Sequence, residues 1–271
     1  MANPALAVLE TALRARKLDQ TLTTALPSIS HATGWEAATD VAPLDACLRG
    51  GLPRGQLSEI AGPHSSGRTA LLLQILAAAT RRGEIAALVD TFDRLDVASA
   101  EAAGVEFERL LWIRGQSTVT PRPAGSADSY HGHPARLMSE PWTTRPEPLL
   151  DRTLDRAVKA LNLVVQAGGF GVVAIDLADA ALPALNRVPF TTWLRVQRTI
   201  EGSETVCLIV AAQPVARSAG GMTLALGARA AWEGAADCSR RLAGLTVTVR
   251  VVSPRRSVDG DVTIGAPVHG R

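Results

Sequence analysis

Short, mostly apolar runs alternate along this chain with longer segments of helical period. Residues 56–61, 85–89, 110–113, 171–175 and 206–211 have the length and content of buried strands. Residues 69–82, 96–103, 149–167 and 189–201 repeat apolar positions every three or four residues, and a shorter helix is expected at 44–48. Strands without a polar face, separated by helices, predict a mainly parallel sheet covered on both sides. From Leu245 to Val252 the period falls to two and the helices stop, which predicts antiparallel strands at one edge, with Asp259-Gly260 as a hairpin turn. The expected class is α/β: a mainly parallel central sheet flanked by helices, with a β-rich C-terminal edge.

Two stretches break this rhythm. At the N-terminus, Pro4 to Lys17 carries Leu6, Leu9 and Leu13 on one helical face, which suits either a docking arm or packing on its own domain. Residues 116–148 hold six prolines together with His131, His133 and Trp142, the composition of a loosely held insertion. The expected organisation is therefore an N-terminal helix and linker over 1–40, a core over 41–265 containing that insertion, and a tail over 266–271.

Composition narrows the function only a little. The 271 residues carry a formal net charge of +2, so overall charge does not mark a nucleic-acid binder. Lysine occurs only at Lys17 and Lys159, and the remaining basic side chains are arginine. Cys47, Cys207 and Cys238 lack metal or redox spacing, and no segment reads as a signal peptide or membrane span. A cytoplasmic protein without membrane contact is expected.

The candidate chemistry lies at Gly62-Pro63-His64-Ser65-Ser66-Gly67-Arg68-Thr69, between an apolar strand and a helix. A glycine-bounded loop in that position turns backbone N–H groups toward one anion, and the helix start adds partial positive charge. The usual phosphate-binding loop has Lys before its Ser or Thr; here Arg68 stands there. By itself the loop is equally compatible with an ordinary strand-to-helix turn. Val172 to Asp176 adds an apolar strand ending in a carboxylate, the second requirement of such a site. Thr69 and Asp176 are the candidate Mg²⁺ partners, through a bound nucleotide.

Residues 51–105 carry a resemblance. Gly51-Leu52-Pro53, Glu59-Ile60, Gly62-Pro63, Ser65-Ser66-Gly67, Gln74, Asp90, Leu95-Asp96 and Gly104-Val105 closely resemble the RecA recombinase family. Weaker similarity continues through Asp176, Gln213 and the β-rich end. The departures look more like ImuA, a short RecA-related family of mutagenic repair cassettes. That resemblance implies a RecA-like core and ATP with Mg²⁺ as a weak or vestigial ligand. It also implies a role in the DNA-damage response and translesion synthesis. The implied partners are the polymerase-like adaptor ImuB and an error-prone DNA polymerase, with RecA and DNA as further candidates. The segment 4–17 and the tail after Ser253 are the candidate contact surfaces.

The departures bear on catalysis. Where the RecA family has the Glu that orients attacking water, this chain has Phe92, and the adenine-stacking Tyr aligns with Ser99. Asp96, aligned near the adenine, and Gln213, aligned with the family's switch residue, are present. The family's interface Lys-Asn-Lys aligns with Ser253-Pro254-Arg255. The family's DNA loops map to roughly 177–188 and 217–229, with Arg217 and Arg229 as candidate DNA contacts; solvated surface arginines are as consistent with those positions. No catalytic residue is assigned, and a non-catalytic accessory factor is expected. The rival is a DNA-dependent ATPase with Arg68 gripping phosphate and Asp93 replacing the missing Glu. A damage-induced inhibitor of cell division is a weaker third reading.

Overall fold

The computed structural model describes residues 35–115, 147–216, 221–234, 241–252 and 260–267, all within one compact unit, 35–271. The expected N-terminal helix, Trp142, His131, His133, Cys238, Arg217 and Ser253-Pro254-Arg255 lie outside those residues. In chain order the elements are β1 (Glu36–Ala37), α1 (Ala42–Leu48), β2 (Leu52–Pro53), β3 (Gln56–Ala61), α2 (Arg68–Arg81), β4 (Ala86–Asp90), α3 (Val97–Ala102) and β5 (Leu110–Arg114). They continue as α4 (Glu147–Ala167), β6 (Val172–Asp176), α5 (Leu182–Arg187), α6 (Phe190–Ile200), β7 (Val206–Ala211), β8 (Thr223–Glu233), β9 (Arg241–Val252) and β10 (Gly260–Pro267). Strands β1 and β2 form a small antiparallel ribbon. The other eight form one sheet in the order β10-β9-β8-β3-β7-β6-β4-β5. Neighbours from β5 across to β8 run parallel, and β8-β9-β10 are antiparallel.

Side-chain alternation sends each parallel strand into two cores. In β6, Val172 and Ala174 join the core under α1, α2 and α3, while Val173 and Ile175 join the one under α4, α5 and α6. Helix α2 is buried on nearly every side, which explains its almost uninterrupted Leu and Ala sequence. Helix α6 instead buries one stripe, Trp193, Val196, Gln197 and Ile200, at the spacing of a single helical face. Burial of Trp193 contributes roughly 2–3 kcal/mol by area, and Trp193→Ala would be the costliest single truncation on this helix. The Gln197 side chain accepts from Leu57 N–H (2.8 Å) and donates to the Gly55 carbonyl (3.2 Å), fixing the start of β3.

Several expectations are corrected here. Much of the stretch aligned with the second DNA loop is strand β8, and Arg229 sits on it opposite Thr246 rather than in a loop. The stretch aligned with the first DNA loop contains helix α5. Helix α4 starts at Glu147, inside the proposed insertion. Gly260, expected in a turn with Asp259, is paired with Val251 in β10; Asp259 lies outside the described residues.

Candidate phosphate-binding site

The loop between β3 and α2 is built by close packing. A side chain at Gly62 would collide with Ser66 Oγ and the Leu226 carbonyl, so only glycine lets β8 approach here. Gly67 precedes the helix with φ of 89°, a left-handed conformation that favours glycine, and Val247 of β9 packs against it. The antiparallel extension therefore buttresses the loop from behind. The amides of the first turn of α2 are those a helix cannot satisfy internally, which makes this end suited to an anion. Ser66 Oγ is buried without a hydrogen-bond partner.

The loop opens into a cavity of about 630 Å³ that reaches the ends of β4 and β6. Residues 64–69 line it, with Asp176 and Phe92. Thr69 is exposed at its edge. Arg68 is not: only 6% exposed, its Nη1 donates to the Gly62 carbonyl and its Nη2 to the Ala178 carbonyl (3.3 Å). The guanidinium thus ties the loop to the turn after β6. A planar fork has enough donors to bridge two carbonyls, which a lysine point charge does less well.

The carboxylates have separate environments. Asp90 and Asp176 are register partners on β4 and β6. Asp90 is buried and accepts from Arg94 N–H (2.8 Å), Leu95 N–H (2.9 Å) and Trp112 Nε1–H (3.1 Å). Desolvation pushes Asp176 up to about 6; the Asp90 and Asp179 charges add to that, while the Ala178 N–H bond and Arg68 oppose it. Asp93, the rival reading's replacement base, is held below the usual carboxylate range by its hydrogen bond from Arg114, with Arg114 Nε 2.8 Å from Oδ1 and Nη2 3.0 Å from Oδ2. It does not line the cavity. Phe92, 2% exposed, packs in the second core and also forms cavity wall.

Two expected nucleotide residues stand apart. Asp96 caps α3, accepting from Ser99 N–H at 2.9 Å, and Gln213 is exposed after β7; neither lines the cavity. Gly62 and Pro63 shape the loop without lining the cavity. The structure adds two residues that the sequence reading passed over, Arg94 and Asp179, which line the cavity and pair at 2.7 Å. Their link follows from β4 lying beside β6, a neighbour relation no local pattern reveals. Among the described residues no cluster of three or more His, Cys, Asp or Glu is arranged to hold a metal by itself. Thr69 and Asp176 share the cavity, which fits Mg²⁺ arriving with a nucleotide rather than resident. No described helix is long and apolar enough to cross a membrane.

Comparison with known proteins places a match to the RecA N-terminal domain family over residues 30–118. Protein RecA of Methylococcus capsulatus is 33% identical over 134 residues, covering 49% of this chain and 28% of that protein. Protein RecA of Rubrobacter xylanophilus is 48% identical over 68 residues, 25% of this chain and 20% of that protein. Protein RecA of Arthrospira platensis is 52% identical over 68 residues, 25% and 19% of the two chains. The chain thus spans less than a third of these relatives' length.

Proposed function

We propose that this RecA-like chain is an accessory factor that binds a nucleoside triphosphate with Mg²⁺ weakly and acts mainly through protein partners. The observation that carries the reading is Phe92, an apolar wall of the cavity where an ATPase of this fold places its water-orienting carboxylate. Neither neighbouring carboxylate is free to replace it: Asp90 accepts three hydrogen bonds, and Asp93 pairs with Arg114 outside the cavity. The loop amides, Thr69 and Asp176 remain able to hold phosphate and the metal that neutralises its charge. The finer reading is an ImuA-like role in the DNA-damage response and translesion synthesis. Its partners would be an ImuB-like adaptor and an error-prone polymerase, with RecA and DNA as further candidates.

One observation favours the rival reading, a DNA-dependent ATPase: Asp179 lines the cavity. Turnover of Mg·ATP by the purified chain, with and without single-stranded DNA, separates the two. The accessory reading expects hydrolysis at least about 100-fold slower than that of a RecA protein run in parallel, since losing a positioned base removes rate on that scale. Brisk hydrolysis abolished by Asp179→Asn would establish the ATPase instead. Failure of the purified chain to retain any polymerase-type or RecA partner would count against the finer role.

A further inference from the structure

We infer that Arg94 is the cation that meets the outermost phosphate of a bound nucleoside triphosphate, and that it does so by exchanging Asp179 for that phosphate. The inference rests on the nucleotide reading above. Among the described residues, two arginines line the cavity, Arg68 and Arg94. Arg68 is buried and bonded to two main-chain carbonyls, and turning it outward would strip a partner from each. Arg94 is differently placed. Its side chain is 45% exposed, and the contact with Asp179 uses Nε, while the guanidinium fork offers further donors.

The backbone beneath Arg94 is fixed, because Asp90 accepts from the N–H groups of both Arg94 and Leu95. Arg94 follows β4 and Asp179 follows β6, so the pair lines the cavity at the ends of those strands, beside the turn that Arg68 ties to the loop. A nucleotide anchored at the loop would direct its terminal phosphate toward those strand ends. Exposed ion pairs are weak, whereas a phosphate offers the fork two parallel acceptors and more negative charge. The exchange is favoured on both counts. Release of Asp179 leaves its charge near Asp176, where a divalent cation arriving with the nucleotide would compensate it.

The probes are a non-hydrolysable ATP analogue and ADP, each with Mg²⁺, titrated into the full chain and into Arg94→Gln and Asp179→Asn, with thermal melts confirming that the variants fold. Arg94→Gln should weaken the triphosphate about tenfold and change ADP by no more than about twofold. Asp179→Asn, which removes the competitor, should tighten the triphosphate by roughly threefold. An Arg94→Gln chain that binds both nucleotides as the parent does, or loses both equally, removes Arg94 from this role and leaves the nucleotide reading standing. A parent chain that binds neither nucleotide overturns the nucleotide reading and this inference with it.

Discussion

Asp176 gives the site a pH signature. Its carboxyl titrates near 6 in the folded chain against a reference of 3.8, so the folded state holds the proton longer than the unfolded one. Its contribution to stability is therefore greatest below about pH 4 and declines as pH rises through 6, by up to about 3 kcal/mol. Chemical denaturation between pH 4 and 7 should show that decline, and Asp176→Asn should flatten it. The loop and Asp176 were legible in the sequence, because each depends on neighbours in the chain; Phe92 stood out only against the resemblance to the RecA family. The orientation of Arg68 was not. Whether a guanidinium faces a ligand or two carbonyls is decided by the Ala178 turn, which only tertiary structure brings near.

Among the elements, β8 is held to the parallel sheet by an unusual clamp. Glu59, 4% exposed on β3, accepts from Val215 N–H (2.7 Å), Ala216 N–H (2.6 Å) and Thr223 Oγ1–H (3.2 Å). Glu59→Ala would leave two main-chain donors without a partner and should cost about 3 kcal/mol, read as a lower denaturation midpoint with an unchanged slope. Most of the parallel strands were readable from composition, since burial on both faces leaves β4, β6 and β7 almost wholly apolar. Strand β8 was not, because only one face is buried: Leu224 and Leu226 point inward while Gly227 and Arg229 are exposed. With no local strand pattern to oppose it, the alignment with the family's second DNA loop stood for 217–229. Helix α5 is short, and its Leu182-Pro183 start gave a pattern too brief to separate from a turn.

For the whole molecule, a net charge of +2 and a strand position for Arg229 argue against an extensive phosphate-tracking groove. Binding to single-stranded DNA should show a log–log salt slope no steeper than about −1.5, the value for roughly two neutralised phosphates. A markedly steeper slope would mean that a larger basic surface is assembled. The arginine that bridges the Gly62 and Ala178 carbonyls has one further consequence at this scale. A pocket whose walls are already stapled together has little slack for a guest to take up. Apart from the Arg94 and Asp179 side chains, occupied and vacant forms should then share one backbone shape, and partners of this chain would meet a fixed outline instead of a message about the cell's energy state.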